Sequence, residues 1–277
     1  MVVMTHGLSA TIGMVSDRYA EVYQAAGLAV LLYDHRNFGA SDGEPRFQLS
    51  NFLQMRGYRD AISFVATLDG VDPERIAIWG DSMSGRVALS VAAVDERVRV
   101  LVVQVPACGS GPAPECSDAA LARARELYLD DRVYAPLADE GEAVPVVSSD
   151  QIHAPSILKP ITAYRWFVDY GGRPEMGWEN QASRAVDPDG STVHPGCLVP
   201  GITAAVMMMV SPTDEILGAS PAVAREVYER ISSSKEWVEI AGGHFGLLYY
   251  PSELFDEASA RQRDFLVREL SVAEESR

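Results

Sequence analysis

Cysteine is scarce in this sequence of 277 residues, and its three copies are not arranged for metal binding. Cys108, Cys116 and Cys197 show no C-x-x-C spacing, so they indicate neither a zinc site nor a disulfide framework. No H-E-x-x-H motif and no cluster of carboxylates indicates another metal, and we expect no cofactor. So few cysteines fit a reducing cytosol, which predicts a cytoplasmic protein.

Basic side chains and long apolar runs are also scarce. Lys and Arg total 23 against 39 Asp and Glu, which gives a formal net charge of -16. A charge of this sign repels phosphate backbones and anionic membrane surfaces, so we expect no nucleic-acid or membrane partner. No apolar run reaches the roughly eighteen residues of a membrane helix. No basic segment precedes an apolar one near Met1, as it would in a signal peptide, although a leader upstream of Met1 stays open.

The apolar residues, 47% of the chain, alternate between strand-like and helix-like patterns. Continuous apolar runs at residues 2–5, 28–33, 76–79 and 98–105 are typical of strands buried on both faces of a parallel sheet. Helical periodicity separates these runs, and the same alternation resumes after residue 200. This order predicts an α/β fold with a doubly wound, mostly parallel sheet.

Residues 107–200 break the alternation. They carry many prolines and glycines and helical patterns at 119–128 and 161–170, and they are too long for a connecting loop. We expect an inserted helical cap over a core formed by residues 1–106 and 201–277. The aromatic side chains of this cap either pack it onto the core or line a substrate pocket. The candidate pocket residues are Trp166, Tyr170 and Trp178.

A candidate nucleophile lies where the third apolar run meets a helical stretch. Ser82 stands in the pattern G-x-S-x-S-G, between the apolar residues 76–79 and the helical stripe that follows. A sharp strand-turn-helix elbow exposes such a serine oxygen, and it needs small residues where strand and helix nearly touch. Gly80, Ser84 and Gly85 meet that need, with Ser84 in the place where the usual pattern has glycine.

An acid and a histidine follow two later strands. Asp214 comes after the strand predicted at residues 204–210, and His244 comes after the one predicted at 236–240. Ligands of open parallel sheets bind at the carboxyl ends of the strands, where Ser82 also falls. The chain order serine, aspartate, histidine is the order expected of an α/β-hydrolase triad. Glu215, next to Asp214, is the alternative acid.

These motifs make the sequence similar to the α/β-hydrolase superfamily, and within it to the dienelactone hydrolase-like and X-Pro dipeptidyl-peptidase-like hydrolases. The resemblance covers nearly the whole chain and is weakest in the cap. It is carried by residues 5–8, 34–43, 75–85, 211–214 and 242–246.

The resemblance implies a role for each member of the site. His244 would accept the proton of Ser82 as a general base, while Asp214 orients the imidazole and stabilises its charged form. The two oxyanion donors would be the backbone N–H groups of Leu8 and Met83.

Other polar residues of these motifs are expected to be structural. His6 would brace the oxyanion loop, and Asp34 with Arg36 would form an ion pair. The remaining histidines are expected on the surface or in packing: His35, His153 and His194.

Together these residues predict a serine hydrolase of the carboxylesterase kind, which cleaves carboxylic esters through an acyl-enzyme intermediate. A thioesterase or an acyltransferase would use the same triad, so the expected partner is a small-molecule ester or thioester. An X-Pro peptidase is a weaker alternative, because no acidic site for a free amino terminus is recognisable. A non-catalytic ligand-binding protein on this scaffold is disfavoured because every triad member is present. Enzymes of this fold that use an aspartate nucleophile are a further alternative. Asp81 could take that role only if the elbow were shifted so that Asp81, and not Ser82, stood at its apex.

The strand order that the resemblance implies leaves the strand at residues 28–33 on one edge of the sheet. The order runs 28–33, 2–5, 75–79, 98–105, 204–210, 236–240. An apolar edge with unpaired backbone groups is usually covered, so we predict either a homodimer contact there or a chain that extends upstream of Met1. Light scattering at several concentrations tests the first, and a higher melting temperature on restoring upstream residues tests the second. A monomer whose edge amides exchange slowly would contradict the order.

Overall fold

The computed structural model describes residues 1–132 and 136–275. The strands within these ranges are β1 (Val2–Thr5), β2 (Val30–Leu32), β3 (Gln48–Leu49), β4 (Ile76–Asp81), β5 (Val98–Gln104), β6 (Ser183–Arg184), β7 (Ala205–Val210) and β8 (Lys235–Glu239). The α-helices are α1 (Ser16–Ala25), α2 (Asn51–Val65), α3 (Ser82–Ala92), α4 (Asp118–Leu129), α5 (Ile161–Gly171), α6 (Pro195–Leu198), α7 (Pro221–Glu229), α8 (Gly243–Gly246) and α9 (Glu253–Glu275). Two short 3-10 helices lie at Pro174–Met176 and Val199–Gly201.

Six of the strands form one sheet in the order β2-β1-β4-β5-β7-β8, and all of their pairings are parallel. The predicted fold class and strand order are therefore confirmed. The largest difference from the predicted elements is α2, expected around residues 58–68 but beginning at Asn51. It begins early because Ser50 caps it: the Ser50 side chain accepts a hydrogen bond from the backbone N–H of Leu53 at 3.0 Å.

The core lies on both faces of this sheet, because successive side chains of a strand point to opposite faces. In β1, Val2 and Met4 belong to one buried cluster and Val3 to the other. The first cluster continues into α1 and α9, and the second into α2, α3 and α7. All six residues of β4 are buried, so the strand that leads to Ser82 lies at the centre of the molecule.

The chain leaves the sheet after β5 and returns to it at β7, and the residues between them include α4, α5, β6 and α6. β6 pairs in parallel with β3, which lies between β2 and α2, so this segment is also attached to the first half of the chain. α5 is held to the C-terminal half by its aromatic side chains, since Trp166 Nε1 donates a hydrogen bond to the carbonyl of Leu248 at 2.9 Å. The division into core and cap at residues 107 and 200 stays a prediction.

The cysteines contradict the expectation of no disulfide. Cys116 and Cys197 form a disulfide across a sequence separation of 81 residues, and Cys108 is a free, fully buried thiol. Spacing in the sequence could not reveal this pair, because the fold of the intervening segment brings Cys116 against α6. The cysteine content therefore no longer argues for a reducing compartment.

The edge position of β2 is also as predicted. β2 pairs with β1 alone, and its residues Val30, Leu31 and Leu32 are each partly exposed. The homodimer contact proposed for this edge stays a prediction. Among the described residues, no helix is both long enough and apolar enough to cross a membrane.

Candidate active site

Ser82 occupies the turn between β4 and α3 with a backbone φ of 51°, in the left-handed region that residues other than glycine seldom adopt. Strand and helix pass so close here that a Cβ atom on Gly80 would lie 2.6 Å from the carbonyl carbon and oxygen of Ser84. Only glycine fits at that position. The sharp turn therefore exposes the Ser82 hydroxyl, as in the nucleophile elbow of this fold. Because Ser82 is at the apex, the shifted elbow that a nucleophilic Asp81 would require is not formed.

Ser84, which replaces the usual glycine of the pattern, holds two loops to the elbow. Its fully buried hydroxyl donates to the carbonyl of His6. His35 Nε2 lies 2.8 Å from the oxygen of the same Ser84 hydroxyl. His6 in turn accepts a hydrogen bond on Nε2 from the backbone N–H of His35. Burial lowers the pKa of both His6 and His35, so both imidazoles are neutral. His6 is thus a bracing residue, and His35 has a specific bonding role that the sequence did not indicate.

Asp34 does not form the expected ion pair with Arg36. Its carboxylate accepts the backbone N–H groups of Ile12 at 2.8 Å and of Ala40 at 2.9 Å, and Arg36 is exposed. These bonds shape the loops after β1 and β2. Backbone donors satisfy a buried carboxylate without the cost of burying a second charge.

The structure brings Ser82, His244 and Asp214 into one hydrogen-bonded chain. Ser82 Oγ lies 3.0 Å from His244 Nε2, and His244 Nδ1 lies 2.7 Å from Asp214 Oδ2. The side chains of His244 and Asp214 are only 3% and 2% exposed. In the tautomer whose Nδ1–H donates to the carboxylate, Nε2 is an acceptor that faces the Ser82 hydroxyl.

Glu215 lies beside this chain but contacts the backbone of His244 rather than its ring. Its Oε2 accepts the N–H of His244 at 2.8 Å, and its Oε1 accepts the Thr162 hydroxyl. The adjacent N–H of Gly243 donates to Ser211 Oγ at 3.0 Å. The two acids that follow β7 therefore have different roles: Asp214 orients the imidazole, and Glu215 anchors the loop that carries it.

A cavity of about 570 Å³ opens in front of Ser82. Leu8 and Met83 lie on its wall beside Ser82 and His244, and Trp166, Phe167 and Phe245 form an aromatic part of the wall. In the ranges that the structure describes, no group of His, Cys, Asp and Glu is placed to hold a metal ion.

Comparison with known proteins gives the family. Residues 1–248 match the family described as serine aminopeptidase, S33, whose members are hydrolases. The chain belongs to this family. Together with the sheet order, the match assigns this S33 hydrolase to the α/β-hydrolase superfamily, whereas the narrower resemblance to dienelactone hydrolases and X-Pro peptidases stays unconfirmed.

Individual relatives of the S33 hydrolase carry several names. It is 29% identical over 273 residues to the quorum-quenching protein AidA of Acinetobacter baumannii, which covers 98% of this chain and 87% of AidA. It is 42% identical over 104 residues to the thiohydrolase aneE of Aspergillus aculeatus, which covers 38% of this chain and 33% of aneE. The crystal structure of the α/β-hydrolase GrgF from Penicillium sp. superposes with a TM-score of 0.73 at 25% identity, covering 98% of this chain and 90% of GrgF.

Of the three aromatic residues predicted to line the pocket, only Trp166 does so. Tyr170 instead packs outside the cavity, where its hydroxyl accepts the backbone N–H of Tyr250 at 2.8 Å. Trp178 packs against Gly171 and against the ring of Phe167 at a centroid distance of 5.2 Å. Phe167 lines the cavity but was not among the predicted pocket residues. The prediction missed it because helical spacing alone does not define which face of α5 points inward.

Asp81, the residue before Ser82, is a buried acid in the cavity wall of the S33 hydrolase. It is 5% exposed, and its Oδ1 has no hydrogen-bond partner among the described residues. Burial raises the pKa of Asp81 to about 7, although nearby His244 and the backbone N–H groups of Asp81 and Gly7 lower it. The carboxyl is therefore largely protonated in weakly acidic solution.

We predict that Asp81→Asn stabilises the protein more at pH 8 than at pH 5. The pKa of this carboxyl is about 7 in the fold against 3.8 for the free side chain, so folding favours the protonated form. The stability lost by ionising Asp81 grows as the pH rises from about 4 to about 7 and then levels off, reaching on the order of 4 kcal/mol. Urea unfolding of both proteins across this range measures the difference. An identical pH dependence of the two proteins would contradict the assignment.

Proposed function

We propose that this S33 hydrolase cleaves acyl esters and thioesters through a covalent acyl-Ser82 intermediate. The observation that carries the proposal is the hydrogen-bonded chain from Ser82 Oγ through the His244 imidazole to Asp214, at 3.0 Å and 2.7 Å. A serine hydroxyl becomes a good nucleophile when a base beside it can take its proton. Ser82 also lines a cavity that is large enough for an acyl chain.

Acylation begins when Ser82 Oγ attacks the carbonyl carbon and its proton passes to His244 Nε2. The tetrahedral intermediate collapses as the imidazolium gives that proton to the departing alcohol or thiol. Water then attacks the acyl-Ser82 carbonyl, with His244 as base, and releases the acid and the free serine. Asp214 holds the imidazole in the required tautomer and stabilises its charged form in each half-reaction.

The negative oxygen of the intermediate would be bound by the backbone N–H groups of Leu8 and Met83. Met83 is the second residue of α3, and the N–H groups of a helix's first turn have no acceptor within the helix. Leu8 follows Gly7, whose backbone passes so close to the elbow that a Cβ there would lie 3.1 Å from the Ser82 Cβ. Both residues lie on the cavity wall.

Acyl transfer from an ester or thioester is the second candidate, since the same acyl-enzyme can be opened by an alcohol or amine. Relatives named thiohydrolase, acyltransferase and polyketide transferase favour an acyl donor of this kind. The family name instead suggests aminopeptidase activity. The cavity wall disfavours a free amino terminus, because it carries the cations Arg86, Lys159 and Arg184. Of its two acids, Glu215 is already bound by Thr162 and the His244 backbone, and burial keeps Asp81 largely protonated below its raised pKa of about 7.

A matched substrate panel tests the proposed function. The purified protein is assayed with the octanoate p-nitrophenyl ester, the corresponding octanoyl thioester and an aminoacyl p-nitroanilide, and labelled with a fluorophosphonate. We expect turnover of the ester or thioester and labelling, both lost in Ser82→Ala, with a fall in kcat of about 10⁴ or more. Product analysis with added alcohol or amine separates hydrolysis from transfer. Labelling that survives in a folded Ser82→Ala protein, or turnover of the anilide alone, would overturn the proposal.

The two acids after β7 provide a matched pair of variants. Asp214→Asn should lower kcat by several orders of magnitude, roughly 10⁴, because the amide can favour the wrong imidazole tautomer. Glu215→Gln keeps an oxygen that accepts the His244 backbone N–H, so its kcat should fall by less than about tenfold. Steady-state kinetics on one ester compare them. A larger loss in Glu215→Gln than in Asp214→Asn would exchange the two roles.

A further inference from the structure

The cavity in front of Ser82 has a charge opposite to that of the chain as a whole. The net charge of the chain is -16, yet the charged residues on this wall are three cations, Arg86, Lys159 and Arg184, and two acids, Asp81 and Glu215. Glu215 is held by hydrogen bonds, and burial keeps Asp81 largely neutral below its raised pKa of about 7. The local excess is therefore positive.

Arg86 lies on α3, the helix that begins at the proposed nucleophile. It follows Ser82 by four residues, which places it one turn later on the same face of the helix, about 6 Å along the axis. Lys159 and Arg184 are exposed, whereas Arg86 is only partly exposed. The same wall includes Ala107, Gly109, Ser110 and Gly218, whose small side chains leave room for a ligand.

The Arg86 guanidinium has no counter-ion in the described part of the chain. Within residues 1–132 and 136–275 it forms no ion pair or side-chain hydrogen bond, whereas eleven other arginines in these ranges form ion pairs. The titratable groups beside it are uncharged: burial raises the pKa of the Cys108 thiol to about 12 and, together with Arg86 and Arg230, lowers that of His194. Burial also lowers the pKa of Arg86 itself, but guanidinium stays protonated in proteins.

A half-buried guanidinium without a partner costs free energy, which a bound anion recovers through charge-assisted, bidentate hydrogen bonds. Arg86 faces the cavity, so such an anion would come from a substrate. We propose that Arg86 is the binding site for a carboxylate on the acyl chain of the substrate, a few methylene groups from the reacting carbonyl. The natural acyl group is then that of a dicarboxylic acid half-ester or half-thioester. This inference rests on the proposed acyl-Ser82 chemistry.

The test compares two acyl chains of the same length that differ in charge. One substrate is p-nitrophenyl hydrogen adipate, and the other is p-nitrophenyl adipamate, in which a neutral carboxamide replaces the carboxylate. The wild-type protein should favour the adipate ester in kcat/KM by at least about tenfold, mainly through a lower KM, as expected for a hydrogen bond to a charged group. Arg86→Gln should abolish this preference, and Arg86→Lys should restore part of it.

Arg184→Gln is the matched control, since it removes a cation from the same wall at an exposed position that water screens. Its preference for adipate should change by less than about threefold. Melting temperatures of the variants check that each one folds. An independent readout is the binding of free adipate to Ser82→Ala, measured by calorimetry. Adding Arg86→Gln to this variant should abolish the binding.

The outcomes separate this inference from the proposed function. Equal turnover of both esters, with no adipate binding to Ser82→Ala, would overturn the anion site and leave the acyl-enzyme chemistry intact. A preference for adipate that Arg86→Gln does not alter would also overturn it. Adipate binding that depends on Arg86, in a protein that hydrolyses neither ester, would support the anion site and overturn the proposed function.

Discussion

The close approach of β4 and α3 at the Ser82 turn is the constraint on which the rest of this site depends. A left-handed backbone at a serine costs free energy, of order 1–3 kcal/mol, and persists only where the surroundings determine it. Here β4 lies in the middle of the sheet between β1 and β5, with all of its residues buried. Ser84 then bonds the loop after β1 and the imidazole of His35 to the same turn. The loops that follow β1 and β2 are thus held at positions that the elbow defines.

Electrostatics divide this site into neutral and charged parts. Behind the elbow, burial keeps His6 and His35 neutral, so the loops are joined by hydrogen bonds that do not change over the pH range in which proteins normally work. In front of it, burial raises the pKa of Asp81 to about 7, and the charged Arg86 side chain has no ion-pair partner among the residues that the structure describes. Charge that can respond to a ligand or to pH is therefore confined to the cavity side of the turn.

Local patterns in the sequence were sufficient to predict the sheet and the positions of its polar strand ends. Continuous apolar runs identify buried parallel strands wherever they occur, and the loops after β4, β7 and β8 had to meet because parallel strands end at one edge. The same patterns could not identify Arg86, which reads as an ordinary polar residue of a helix. They also misassigned Tyr170 and Trp178, since an aromatic residue on a helix packs equally well toward the core or toward a cavity.

Contacts that depend on the path of residues 107–200 were beyond the sequence for a different reason. The bond between Cys116 and Cys197, the pairing of β3 with β6 and the cavity face of α5 all follow from how that segment folds back on itself. Asp34 is a simpler case. Its neighbour in the sequence, Arg36, suggested an ion pair, yet two backbone amides were nearer once the loops had formed.

The disulfide converts the stretch between Cys116 and Cys197 into a closed ring. α6, which carries Cys197, packs against α3, so the base of the ring is clamped to the helix that begins at Ser82. Because its two ends are joined to each other and held against α3, this segment cannot separate from the helix as a whole to admit a substrate. Residues 157–160 and α5 form the part of the cavity wall that lies inside the ring, so any movement of that part is limited by the length of chain between the two sulfur atoms.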